Sequence, residues 1–262
     1  MQNLLQYLAQ TSTSARRWTN LLFLAVLFLV TLPAYAQQLP ISLDAALLTA
    51  ITQHGGAAVR AVTRLKIEGQ TSGANGTMPI VIQGDLAGSV RLDYGNPVTR
   101  SIINTPTGST EIINGKVRRK PPHVGAFAQL DLLSIFGLLR LDGGRVTWTD
   151  LGLATVGGRA TLGRRADTGQ TKELLRRVIR DQTDIRFDVG TGLVSSITRT
   201  HYAENSLDLF LPLALVFSDN RVVSSVVVPF RIDVYLSTSL METITLNNVE
   251  LNPTFSLSIF ER

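Results

Sequence analysis

From residue 59 onward the chain is dominated by short alternations of apolar and polar residues, interrupted by two stretches with a longer period. Val59, Ala61, Leu65 and Ile67 alternate with Arg60, Arg64, Lys66 and Glu68, the pattern of a strand with one dry and one wet face. Val90, Leu92 and Tyr94 alternate with Arg91 and Asp93, and Ile185, Phe187 and Val189 with Asp184, Arg186 and Asp188. Further strands are predicted at Ile80–Leu86, Ile102–Ile103, Glu111–Ile113, Lys116–Arg119, Val146–Trp148, Leu153–Leu162, Leu193–Tyr202 and Leu207–Phe217. Asn114-Gly115 predicts a tight hairpin, because both central residues of a type I′ turn take positive φ. The region Arg221–Phe260 reads as a strand through Leu236, a polar break at Ser237–Ser239, and a return in which Ile244, Leu246, Val249 and Leu251 recur. A strand break is expected at Asp219-Asn220. Pro229, which has no N–H to donate, belongs at a bulge or on a free edge.

The longer periods predict helices. Ser42-Leu43-Asp44 supplies a cap and a first-turn acid, and Leu43, Ala46, Leu47, Ala50 and Ile51 share one helical face before Gly55-Gly56 stops it. Phe127–Arg140 is apolar on nearly every side and leucine-type, the pattern of a buried helix. Lys172–Arg180 (K-E-L-L-R-R-V-I-R) has helical composition with a basic face and is expected to be a surface helix. About ten strands, few helices and no compositional break predict a mainly β chain of one domain over residues 37–262.

The first 36 residues read differently. Arg16-Arg17 precede the unbroken apolar run Leu21–Val30, and Ala34-Tyr35-Ala36 places small residues at a cleavage site, which is the order of a secretory signal peptide. The run is shorter than the ~20 apolar residues that span a bilayer, and Pro33 stands against its extension. Cysteine is absent, so the chain carries neither disulfides nor a lipid-attachment site. The formal charge of +5 includes Arg16 and Arg17, and the remaining excess of positive charge is small. Without aromatic residues interleaved among them, the clusters Lys116–Lys120 (K-V-R-R-K) and Arg164-Arg165 are read as solvated surface, and no nucleic-acid partner is expected.

No constellation announces a reaction. His54, His123 and His201 lie far apart, without metal-ligand spacing, and are read as polar surface. There is no G-x-S-x-G elbow, no G-x-G-x-x-G or Walker lysine beside Gly143-Gly144 or Gly157-Gly158, and no paired spacing of carboxylates. Neither an enzyme nor a cofactor or metal is expected.

The order of parts resembles the LolA/LolB-like family of periplasmic lipoprotein-carrier folds, which includes outer-membrane lipoprotein-sorting proteins. The matching stretches are F-D-V-G-T-G-L at Phe187–Leu193, V-P-F-R-I at Val228–Ile232, the strand Ile244–Asn252 and its ending N-P-T-F at Asn252–Phe255. The resemblance implies an unclosed barrel: one curved antiparallel sheet with helices on its concave side and a cavity for acyl chains. It implies a bacterial periplasmic location and a hydrophobic ligand, a lipid or the acyl chains of a lipoprotein. The residues expected to line the cavity are Leu65, Ile67, Leu92 and Phe187 from the sheet and Leu132, Ile135, Phe136 and Leu139 from the apolar helix. The alternative is a non-catalytic interaction protein of the cell envelope, with the same fold, a filled cavity and a protein partner. Terminal sequencing of the exported protein is expected to begin at Gln37; a chain still starting at Met1 would instead mark an uncleaved anchor.

Overall fold

A computed structural model describes residues 43–74, 76–121, 146–174, 177–204 and 206–261. It contains one antiparallel sheet of 13 strands built from two meanders. The first meander is β1 (Arg64–Gly73), β2 (Gly76–Asp85), β3 (Val90–Tyr94), β4 (Arg100–Thr105), β5 (Gly108–Ile113) and β6 (Lys116–Lys120). The second is β7 (Thr147–Val156), β8 (Arg159–Leu174), β9 (Arg177–Asp188), β10 (Val194–Ala203), β11 (Ser206–Val223), β12 (Val226–Leu236) and β13 (Ser239–Leu251). The last strand pairs with the first, β13 with β1, which leaves β6 and β7 as the two edges of an unclosed sheet. Two helices, α1 (Leu43–Gln53) and α2 (Ala57–Arg60), precede β1.

Residues opposite one another in an antiparallel ladder share a face. One row therefore runs Ile67, Ile82, Leu92, Ile102 across β1 to β4, and a parallel row runs Leu65, Gly84, Val90, Asn104. On the other side of β1, Leu65 faces Leu251 and Ile67 faces Val249. The register slips between Glu68 and Gly69, after which Gly69 faces Leu246 and Thr71 faces Ile244. That bulge is why Ile244, Leu246, Val249 and Leu251 all reach one face although the spacing between Leu246 and Val249 is odd. This inner face carries the main core, where Leu47, Ala50 and Ile51 of α1 pack with Leu65, Ile67, Phe187, Val226 and Val228. Burying each large apolar side chain of this kind contributes about 1.5–3 kcal/mol. A smaller cluster lies on the outer face, where Phe260 of a short 3-10 helix, Leu257–Phe260, packs on Ile103 and Ile112.

His54 ties α1 to the sheet. It is fully buried, in contrast to the surface position expected for it. Its Nδ1 lies 2.9 Å from the Val227 carbonyl, its Nε2 accepts the Val194 N–H at 3.1 Å, and its own carbonyl accepts the Val227 N–H at 3.1 Å. The Val194 bond requires a lone pair on Nε2, so the ring is neutral with its proton on Nδ1. Gly55, at φ 119°, lets the chain turn here, because a Cβ would lie 2.3 Å from the Ser225 carbonyl oxygen.

Several expectations need correction. The chain from Ala57 to Arg60 is a helical turn, so the first strand begins at Arg64 and Val59 packs from a helix. Lys172–Arg180 is no helix: Lys172 pairs with Ile179 and Glu173 with Val178 as β8 and β9 extend their hairpin. Cross-strand pairing overrides a helical composition there. Strand β11 continues through Asp219, which takes φ 53° without breaking the ladder, and the turn falls at Ser224-Ser225, both at positive φ. Leu153–Leu162 is likewise a hairpin, turning at Gly157-Gly158. Asn114-Gly115 forms the expected turn. Pro229 sits opposite Asn220, and by alternation with Val227 it points to the side where β12 has parted from β13. Residues 1–42 and 122–145, with the signal sequence and the apolar stretch Phe127–Arg140, lie outside the described residues.

Burial lowers the pKa of His54 from its usual 6.5, against the weaker opposing effect of its bond to Val227. The unfolded chain therefore takes up a proton near pH 6.5 while the folded chain resists it, and stability falls as the pH drops below about 6.5. Urea unfolding at pH 7.5 and pH 5.5 should show this loss. His54→Ala should cost on the order of 1–3 kcal/mol at pH 7.5, from the orphaned Val194 N–H, and flatten the pH slope.

Candidate functional site

The inner face changes character along its width. Around α1 it is sealed: Leu65, Ile67 and Phe187 are 2%, 0% and 4% exposed. Toward β4 the cover thins, and Leu92 and Ile102 are half-buried. On β11 the odd-numbered residues face inward, since Leu215 opposes the buried Ile197. Along this strand Leu213 is half-buried, Leu211 is 40% exposed and Leu209 60% exposed. An apolar surface thus continues from the core to an incompletely covered end.

That end is bordered by charge. Continuing the two rows across the first meander, Ile102 opposes Glu111 and Glu111 opposes Arg118, while Asn104 opposes Ser109 and Ser109 opposes Lys120. Glu111, only 5% exposed at its side chain, is 2.6 Å from Arg100, 3.3 Å from Lys120 and 3.8 Å from Arg118. Burial opposes its ionisation, but the hydrogen bond from Arg100 and the charges of Lys120 and Arg100 outweigh it and hold its pKa below the ordinary value. Arg118 and Lys120 also meet Glu204, which follows β10. The sheet therefore curls toward its inner face until the β6 edge touches the end of the β10–β11 hairpin.

From the second meander, Arg199 opposes Leu213 and His201 opposes Leu211, so both project inward beside the exposed leucines. Desolvation pushes the Arg199 pKa down to about 9, which still leaves the guanidinium charged at neutral pH. His201 is held below its usual value by burial first and then by the positive charges of Arg199 and Lys120. A separate groove of about 900 Å³ lies by the β4–β5 turn and the C-terminal tail, lined by Ser89, Thr107, Arg119, Leu257 and Phe260 among others.

Of the residues expected to form a site, Leu65, Ile67, Leu92 and Phe187 share the inner face, and Leu132, Ile135, Phe136 and Leu139 lie outside the described residues. The charged border was missed. Its signal was present in the alternation, since Arg199 and His201 share the parity of Ile197, which places charge on the face that should be dry. Lys120 stood out only as part of a basic cluster read as solvated. Among the described residues, no group of His, Cys, Asp and Glu could hold a metal ion, and no helix is long and apolar enough to cross a membrane.

No family model matches the chain. A search of curated proteins finds no match either. Solved structures do match. A DUF1329 family protein from Desulfovibrio piger aligns over 83% of this chain and 96% of its own, at 12% identity and a TM-score of 0.52. An outer membrane lipoprotein-sorting protein domain from Vibrio parahaemolyticus aligns over 82% and 95%, at 9% identity and a TM-score of 0.47. The LolA superfamily protein NE2245 from Nitrosomonas europaea aligns over 84% and 97%, at 8% identity and a TM-score of 0.48. At 12% identity the likeness to the Desulfovibrio piger protein is one of fold alone.

The buried carboxylate is the keystone of the charged border. Glu111→Gln should destabilise the protein by about 1.5–3 kcal/mol, through loss of charge-assisted bonds from Arg100 and Lys120, as read from the urea midpoint.

Proposed function

We propose that the protein is a periplasmic carrier that holds a hydrophobic ligand, a lipid or the acyl chains of a lipoprotein, against the inner face of its sheet, without catalysing a reaction. The observation that supports this most directly is the apolar inner face that stays incompletely covered at Leu92, Ile102, Leu211 and Leu209. A protein in water gains by covering such a surface, and an acyl chain is a cover of the right chemistry. In this reading the ligand lies between the apolar stretch carrying Leu132, Ile135, Phe136 and Leu139 and the open part of the sheet, entering past Leu92, with the packed Leu65, Ile67 and Phe187 closing the far end of its site. The signal-like segment ending at Ala36 supports delivery to the periplasm.

The second reading is an envelope interaction protein with a filled interior. What favours it is the near-complete burial of Leu65, Ile67 and Phe187, which leaves no space at the α1 end. Mass spectrometry of the natively purified protein separates the two: co-purifying acyl species are expected for a carrier, and an empty protein that binds no fluorescent acyl probe would overturn that reading. Phe136→Ala gives a further test. In a carrier it should weaken probe binding at a stability cost below the ~3–5 kcal/mol of a filled aromatic core position. The full cost, with probe binding unchanged, would favour the interaction protein.

A further inference from the structure

We propose that the groove beside the C-terminal tail binds an extended peptide segment of a partner protein, cationic at one end, apolar in its middle and anionic at the other. This site lies apart from the apolar inner face and does not rest on the carrier reading.

The first observation is that one wall of the groove is firmly anchored. Phe260 packs on Ile103 and Ile112, and its ring meets that of Phe255 edge-on with centroids 5.9 Å apart. Arg91 donates to the Ile259 carbonyl at 3.0 Å. The tail is thereby held across β3 to β5, and the groove of about 900 Å³ is lined by it, by the β2–β3 and β4–β5 turns and by the end of β6. Ile103, Phe260 and the exposed Leu257 give it an apolar middle.

The second observation is unmatched charge of both signs. Asp85, Glu261 and Arg119 all line the groove, and none of them forms an ion pair among the described residues. Asp85, at the end of β2, is buried, and its carboxylate accepts the Ser89 N–H at 3.0 Å. Arg119 projects outward from β6, since it opposes Thr110, which opposes Ile103. The carboxylates and the guanidinium line one groove without meeting each other, which leaves both for a ligand that carries both signs.

The third is the span. In the sheet order β2 and β6 are four strand spacings apart, about 19 Å at the usual inter-strand distance. An extended chain advances about 3.3 Å per residue, so about six residues cover it. A single amino acid or a small anion is too short to meet both ends. The hydroxyls of Ser89 and Thr110, also in the lining, have no hydrogen-bond partner among the described residues and can bond to peptide amides. An acyl chain would leave these hydroxyls and all the charges unused.

Calorimetric titration of the purified protein with three end-blocked hexapeptides tests the proposal. All share a leucine-containing neutral middle; one has lysine first and glutamate last, one has lysine at both ends, and one has glutamate at both ends. The mixed peptide is expected to bind on the order of fivefold more tightly than either of the others, a preference that shrinks as salt is raised. Arg119 and Glu261 are exposed, so their replacement is expected to keep the fold. Arg119→Gln should bring the mixed and all-lysine peptides to equal affinity, and Glu261→Gln should narrow the gap to the all-glutamate peptide. Leu257→Ser should weaken all three. Equal affinity for the three peptides overturns the site, as does a preference that neither charge variant alters, or no binding of any peptide. Displacement of the mixed peptide by the fluorescent acyl probe also overturns it, because the groove would then take lipid. Probe binding without displacement leaves the peptide site and the carrier reading standing side by side.

Discussion

The pairing of the first strand with the last holds the molecule together. Every other ladder in the sheet joins neighbours in sequence, but β1 must meet β13 for two separate meanders to become one surface. The seam is made by backbone bonds, by Leu65 and Ile67 against Leu251 and Val249, and by Asn252 just past its end. The Asn252 side chain accepts the Thr63 and Arg64 N–H groups at 2.7 and 3.3 Å and donates to the Ala61 carbonyl at 3.1 Å. Gly69 sets the strictest constraint. A Cβ there would lie 2.3 Å from the Thr245 carbonyl oxygen, so only glycine lets the bulged strands approach this closely. Without that slip, Leu246 and Val249 would face opposite sides of the sheet and the inner face would lose its continuity.

Everything that distinguishes the candidate site depends on where each meander ends relative to this seam. Near it, α1 and the His54 clasp seal the inner face. Far from it, side chains join β6 to the β10–β11 hairpin, with Arg118 and Lys120 reaching Glu204. Polar and ionic groups are tolerated on an inward-facing surface only where partners are present, and Glu111 has three of them. A gradient results, from a dry packed core to an apolar surface with a cationic border.

Much of this was legible in the sequence because alternation specifies strands and their faces directly. The run containing Ile244, Leu246, Val249 and Leu251 even contains the bulge, as a change of parity. Turn chemistry was legible where it was conventional, as at Asn114-Gly115, and hidden at Ser224-Ser225, where serines adopt the positive φ usually left to glycine or asparagine. The helical composition of Lys172–Arg180 misled, since local propensity says nothing about a partner strand waiting across a hairpin. The charged border was harder for a different reason. Arg118 and Lys120 come from the first meander and Arg199 and His201 from the second, several strands apart in the sheet order, and its curl brings β6 to the β10–β11 hairpin. His54 gave no signal at all, because its partners are backbone groups of residues far along the chain.

The seam also dictates the order in which the molecule can be made. Hairpins within each meander close short loops, whereas Lys66 and Glu250 are separated by 184 residues, so the sheet cannot be completed until almost the whole chain is available. A chain emerging slowly would hold β1 with one side unpaired, an exposed template for other chains, until β13 arrived. Such a topology makes β13, the last strand of the sheet, the step that commits the fold.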